Sequence, residues 1–593
     1  MPAPGPYYEE QIASYTTRLV IVRERLFLLA ILRLICFVGL CVAAYYSIPS
    51  FPFLITALAI VLLTGFIVLI KLNFRLSDQK ALLEKLLFVN TNEQAVLNNQ
   101  PNGFPDGKDQ LDSDSYLDDL DIFGPRSLFH LLNRTTTTHG KARLSSLLRK
   151  PILTIPDIIR QQQAIRVMTA QPDKRQLLTA KGLLVDEKEG NLYSLLDWLA
   201  TPSRIHSRMG MTILRWLLIA YNLFCIGLYL ATDMYLPLLL GVILSWIITA
   251  SYKTYIFHQH LLISKKQAIL DQYSSILAVF NTMDTRGSSL LQEEQTRTGR
   301  AYHAIRRLSQ LSAFFDQRLN MLVNILLNSF LLYDLQCMAA LEKWKESYKK
   351  EFPEWIEAVG NIECLNSLAT LAFSSPSFTY PTPLDGGQLQ IAATGMAHPL
   401  IPAGERVTND CTIGRDQRLI LVTGSNMSGK TTFLRTTGVN LLLAQCGAPV
   451  CATSFSFTPM QLLTSLRVSD SLQEHTSYFM AELKKLQRII HRIQENTPSL
   501  VLIDEILRGT NSDDKTYGSE QFIRKLLQYP CLSFFATHDL SLGSLENELP
   551  GLVSNYCFES IIDGNELHFD YRLRQGIARN RNASFLMKKM DII

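Results

Sequence analysis

The sequence predicts an α/β domain with a largely parallel sheet at the C-terminal end, preceded by an all-α region that carries two transmembrane helical hairpins. Three observations predict it. Long apolar stretches come in two pairs, at 26–46 with 51–70 and at 213–231 with 235–250. Apolar residues at helical spacing fill most of the chain from about 128 to 373. After Tyr380-Pro-Thr-Pro383 and Asp385-Gly-Gly387 the pattern changes to short β-branched runs alternating with amphipathic helices.

Each apolar stretch of the first pair is long enough to cross a hydrocarbon core of about 30 Å as a helix. The stretch 26–46 is interrupted only by Arg33, and 51–70 carries no charge. Ser47-Ile-Pro-Ser50, with Pro52 just beyond, reads as a tight turn between them. A signal peptide fits poorly, because a second full-length apolar stretch follows at once without a small-residue cleavage site. The second pair carries Arg215 near its start and turns at Thr232-Asp233-Met234; a buried hairpin in a soluble core is the alternative there. Arg18, Arg23, Arg25, Lys71, Arg75, Lys80, Arg204, Arg208 and Lys253 flank the stretches, and the connecting turns have no Lys or Arg. Positive-inside counting therefore expects a multi-pass protein of the inner (cytoplasmic) membrane, with both termini and the middle region in the cytoplasm.

Composition agrees. Of 593 residues, 47% are hydrophobic and only 19% charged, against roughly 25% charged in ordinary soluble domains. This excludes a mainly disordered chain. The net charge of +4 does not indicate a strongly basic nucleic-acid binder, although a local patch stays open. Ten cysteines without a CxxC pair suggest buried thiols in a reducing compartment, not a disulfide framework or a zinc site.

The expected organisation is an N-terminal membrane hairpin at 1–75, a linker at 76–121, a first part of a helical core at 122–210, a second membrane hairpin at 211–252, a second helical part at 253–380, and the α/β domain at 381–593. The linker rests on the polar, acidic stretch 91–121, which reads as a flexible linker or long loop. The run 314–341 reads as a long apolar-periodic helical segment of the second helical part.

The chemistry concentrates in the last domain. Arg418-Leu-Ile-Leu-Val-Thr423 is a buried-strand run, Gly424-Ser425-Asn426-Met427-Ser428-Gly429-Lys430-Thr431 follows, and Thr432 continues into a helix. This is G-x-x-x-x-G-K-[ST] in its strand–loop–helix setting. The glycines let backbone N–H groups wrap a phosphate, Lys430 adds a full charge at the β- and γ-phosphates, and the Thr431 hydroxyl suits Mg²⁺. The ligand expected is ATP with Mg²⁺. A second apolar strand ends in Asp504-Glu505. Asp504 is placed to hold the metal and Glu505 to orient or deprotonate the attacking water. A third strand run, 531–537, ends at His538, which then faces the same crevice and senses the γ-phosphate.

These motifs resemble those of MutS-type mismatch-repair ATPases, in a membrane-associated subgroup. Asn426-Met427 inside the loop, Leu502-Ile-Asp-Glu-Ile-Leu-Arg-Gly-Thr510, Ala536-Thr-His538 and Ala397-His398-Pro399-Leu-Ile401 carry the resemblance. Asp119-Leu-Asp-Ile-Phe-Gly-Pro-Arg-Ser-Leu128 and Ile362-Glu-Cys-Leu-Asn-Ser-Leu368 resemble the start of the family's helical core and the end of its lever helices. The resemblance implies an ABC/MutS-like P-loop ATPase domain behind an all-α core and lever domain. It also implies a homodimer with composite ATP sites, in which Ser477, at the family's signature-loop serine, reaches the γ-phosphate of the opposite subunit. No segment corresponds to the mismatch-reading module with its Phe-x-Glu wedge, and Leu472-Gln-Glu-His475 is more acidic than the usual signature loop. The function expected is a membrane-anchored ATPase acting on DNA. The alternative is an ATP-driven transport or remodelling protein of the bilayer that binds no DNA. Arg572, Arg574, Arg579, Arg581, Lys588 and Lys589 make the C-terminal end basic, which suits DNA, a solvated face or a dimer contact.

Overall fold

The structure, a computed structural model, describes residues 3–47, 53–111, 115–187, 192–467, 478–507, 511–563 and 566–579. Two long helices come first, α1 (Pro4–Ser47) and α2 (Phe53–Leu97), packed along each other. At 1.5 Å per residue each is roughly 66 Å long. Their polar halves meet through Leu19, Val22 and Leu83, and Arg23 reaches Glu84 at 3.1 Å. Their apolar halves are bare, with Phe27, Leu34 and Val61 exposed. The open ends of the pair are fastened to the body. Tyr7 donates to Asp173 at 2.6 Å, the Tyr8 and Ser374 hydroxyls lie 2.9 Å apart, and both rings meet Phe373 edge-on.

Of the expected linker 76–121, residues 76–97 belong to α2, the described residues 98–111 form a long loop with one 3-10 turn at Lys108–Gln110, and Tyr116–Asp119 is a short helix. α2 runs unbroken to Leu97 and buries Leu83, Leu86 and Val89 at helical spacing. Asn90 exchanges hydrogen bonds with Gln176, and buried Glu93 pairs with Arg134. Further on, Phe104 lies under the Arg134 guanidinium, and Asp109 meets Lys141 at 2.7 Å. Polar residues looked like loop because their partners are distant in sequence; here they are caps and ion pairs on a packed surface.

The helical body contains α3 (Thr138–Arg149), α4 (Ile155–Thr169) and α5 (Pro172–Gly182). A second apolar pair follows, α6 (Met209–Thr232) and α7 (Leu236–Ser251). The run 314–341 is helical, as expected, and is divided among the end of a helix at Ala301–Asp316, a 3-10 turn at Gln317–Leu319, α8 (Met321–Leu331) and α9 (Tyr333–Tyr348), the last two bent by 82° at Leu332, which takes the left-handed φ of 49°. Asn320 caps α8 by accepting from the backbone N–H of Leu322 at 3.1 Å. Helical periodicity persists through the bend, so periodicity alone hid it. Arg215 is buried rather than extended toward a surface. It donates to the Leu335 carbonyl at 3.0 Å and to Gln336 at 3.2 Å.

The long α10 (Glu351–Ser374) is the axis of the body, buried along most of its length against α3 and α4. Its Glu363 carboxylate accepts from the backbone N–H groups of Thr136 and Thr137 at 2.9 and 3.2 Å, capping α3.

The C-terminal α/β domain holds two sheets. The smaller is mixed, in the order β1 (Thr382–Pro383), β5 (Ser454–Phe457), β2 (Gln390–Met396), β3 (Asn409–Gly414). The larger runs β10-β9-β4-β8-β7-β6, comprising β4 (Leu419–Gly424), β6 (Gln461–Ser465), β7 (Ser499–Asp504), β8 (Cys531–Thr537), β9 (Val553–Asp563) and β10 (Glu566–Gln575). Five of these strands are parallel and β10 is the antiparallel edge. β4 is buried at every residue, as an apolar run in a covered parallel sheet must be. Packed on the sheets are α11 (Lys430–Gln445), α12 (Tyr478–Ile493) and α13 (Ser512–Leu526).

A charged seam joins the helical region to this domain. The fully buried Asp119 accepts from Lys485 at 2.8 Å, from the Thr464 hydroxyl at 2.6 Å, and from the backbone N–H groups of Leu466 and Arg467. Two residues on, Asp121 pairs with Arg435 and Arg467, each at 2.7 Å.

Candidate nucleotide site

Sheet register assembles the site. β4 pairs with β8 so that Thr423 lies beside Thr537, and β7 pairs with β8 so that Asp504 lies beside Ala536. The strand ends therefore present Gly424, Asp504 and His538 at one edge of the sheet, where a crevice outside the carboxyl ends is expected. The loop between β4 and α11 turns on two glycines. Gly424 has φ 154° and a Cβ there would come within 2.7 Å of the Phe558 carbonyl oxygen. Gly429 has φ 106° and immediately precedes α11, whose first N–H groups open toward the loop.

Asn426, Met427, Ser428, Gly429, Lys430, Thr431 and Thr432 line a cleft of about 880 Å³, together with Asp504, Glu505 and His538. Gly424 and Ser425 lie behind it, and both carbonyls accept from the Lys430 ammonium, at 2.9 and 2.8 Å. The same ammonium lies 3.3 Å from His538 Nε2. The Thr431 hydroxyl donates to Asp504 at 2.5 Å. The buried Ser428 hydroxyl has no hydrogen-bond partner among the described residues. Glu505, at a left-handed φ of 53°, accepts from Lys515 of α13 at 2.5 Å. Burial, reinforced by the neighbouring Lys430 charge, holds the His538 imidazole below its ordinary value, so it is neutral at pH 7.

Residues absent from the sequence motifs complete the cleft. Tyr571 of β10 stands over Gly429, and its carbonyl accepts from Asn409 at 3.0 Å. Arg435 and Arg467 line the wall opposite. His398 also lines it, pushed down to about 4 by burial first and by the Arg435 charge second. Of these, only His398 carried a signal, in the Ala397-His398-Pro399 segment. Lys515 had none, because ten positions from Glu505 across a loop has no periodic meaning. Ser477, Leu472 to His475, Arg508 to Thr510, Arg581, Lys588 and Lys589 lie outside the described residues. Of the C-terminal basic residues that are described, Arg574 is paired with Asp570.

The arrangement offers oxygen donors for a hard cation beside a lysine and a helix N-terminus for an anion, and it holds an acid and a neutral imidazole on the same cleft. Residues 420–588, which carry this cleft's loop, both acids and His538, match the family model MutS domain V.

Proposed function

We propose that the chain is a membrane-anchored MutS-like ATPase of the inner membrane, which binds and hydrolyses ATP as a homodimer and acts on DNA. The observation that carries the ATPase reading is the convergence of Lys430, Thr431, Asp504, Glu505 and His538 on one cleft at the carboxyl edge of the sheet. On this reading the loop 424–432 cradles the phosphates, with the Ser428 hydroxyl among its donors. Thr431 and Asp504 hold Mg²⁺, whose charge, when bound, offsets that of the phosphate oxygens. Glu505 orients or deprotonates water, and His538 reports on the γ-phosphate. Ser477 completes the partner's site across the dimer.

Glu505→Gln should then keep ATP binding while slowing steady-state hydrolysis by about two orders of magnitude or more, since general-base help is worth roughly 10²–10⁴-fold. Turnover within a factor of three of the parent removes Glu505 from that role.

The exposed apolar halves of α1 and α2, and the apolar faces of α6 and α7, support anchoring in the bilayer. Full-length protein should stay with the membrane fraction through carbonate and high salt. Recovery in the soluble fraction without detergent would exclude anchoring.

The DNA part rests on the MutS domain V match. A mobility shift with branched, mismatched and plain duplexes across a salt series should show retardation that weakens as salt rises. One observation favours a second reading, a bilayer-acting ATPase without nucleic acid: apolar side chains of α6 and α7 such as Trp216, Leu217, Phe224 and Ile247 are exposed on the helical body itself. Intact hydrolysis with no shift on any duplex selects it.

A further inference from the structure

Beside the second apolar pair lies α8, which the four-stretch membrane pattern leaves out. It packs against both α6 and α7. Leu319, Met321, Leu322, Ile325 and Leu326 all face outward, Met321 and Leu322 at 74% and 73% exposure. No charged residue occurs from 319 to 333. Polar groups of the helix point the other way. Ser329 accepts from the Trp246 indole at 3.0 Å and, through its carbonyl, from Asn222 at 3.3 Å. Asn328 donates to Asn324 and accepts from the backbone N–H of Asp334. A helix packed for water has the reverse arrangement, with polar groups outward and apolar groups inward. Turning the polar groups inward, each satisfied by protein, is what a hydrocarbon surround demands.

The ends of the element add a constraint. Arg318, just before α8, and Asp334, just after it, form an ion pair at 3.0 Å in which Asp334 is buried and Arg318 partly so. Both charged flanks are therefore held at one place. The 11 residues of α8 give a length of about 16 Å, half of a hydrocarbon layer. Such a helix enters the layer and does not cross it.

We propose that α8 is a third lipid-contacting element, a half-depth helix that enters the same leaflet region as the α6–α7 pair and returns to the side it came from, its outward face covered by acyl chains. This rests on the bilayer reading of α6 and α7 and extends it to a segment too short to span on its own.

Site-directed spin labelling tests it in the full-length protein, reconstituted in phosphatidylcholine–phosphatidylglycerol vesicles, with Cys36 and Cys41 replaced by serine. Labels at Leu322→Cys and Leu326→Cys probe α8. A label at Leu223→Cys, exposed on α6, reports the hairpin, and one at Arg286→Cys reports water. Collision rates with oxygen and with a water-soluble nickel chelate are compared. The expected result is a severalfold preference for oxygen at 322 and 326, as at 223, and for nickel at 286. Nickel preference at 322 and 326 with oxygen preference at 223 overturns the α8 proposal and spares the bilayer reading. Nickel preference at all four positions overturns both.

Discussion

Lys430→Ala abolishes tight ATP binding: the dissociation constant rises by on the order of 100-fold or more. Lys430 is 6% exposed and its ammonium is held against the carbonyls of Gly424 and Ser425, so it is placed beside the loop without needing to be ordered by ligand. A hydrogen bond to a charged group is worth about 1.5–3 kcal/mol. A buried lysine facing two phosphates makes more than one, so a loss of about 3 kcal/mol or more is the floor, which corresponds to that factor. Alanine leaves the glycine turns and the α11 N-terminus in place, so weak binding through backbone N–H groups persists. A fluorescent-nucleotide titration reads the change. A dissociation constant within threefold of the parent means that the phosphates do not lie at this loop.

The second large effect is expected at a residue that does not itself line the cleft. Asp119→Ala should lower stability by about 3–5 kcal/mol, because it strips the partner from a buried lysine and leaves that charge uncompensated. Lys485 is 8% exposed, and its bonds to Asp119 are accompanied by one to the Arg467 carbonyl at 2.9 Å. The Thr464 hydroxyl and two backbone N–H groups lose their acceptor as well. Thermal unfolding in detergent measures the loss. Asp119→Asn, which retains an acceptor oxygen without the charge, should fall between. A melting temperature for Asp119→Ala equal to the parent's would mean that the seam is structurally idle.

How much of this was legible in the sequence follows from the range of each interaction. The glycine-rich loop is local, and its strand–loop–helix order appears in the residues 418–432 themselves. Asp504 and His538 were legible for a different reason: parallel strands put their carboxyl ends on one edge, so an acid and an imidazole at two strand ends meet without further information. Lys515, Asn409 and Tyr571 were not legible, because each reaches the cleft through tertiary packing. The misread linker has the same cause. Asp109, Asp119 and Asp121 look like solvated acids until Lys141, Lys485, Arg435 and Arg467 are seen beside them. The bend at Leu332 escaped notice because an apolar helical period is the same whether the helix faces a protein core or lipid.

The fastening of the first two helices to the body has a mechanical consequence. Tyr7 and Tyr8 near the start of α1, and Leu97 at the end of α2, all pack on Phe373, one residue from the end of α10 and a short loop before β1 opens the α/β domain. The pair is thus a boom roughly 66 Å long whose base is held at Phe373 and also through Tyr7–Asp173, Asn90–Gln176 and Glu93–Arg134. A sideways load at the far end acts there with the full moment arm. The edge-on aromatic contacts there are worth about 0.5–1.5 kcal/mol each beyond their burial, and the buried Glu93–Arg134 pair and the Asn90–Gln176 hydrogen bonds share the load. Of these attachments, the one at Phe373 lies on the chain segment that leads directly into the α/β domain, so part of any load on the boom falls there.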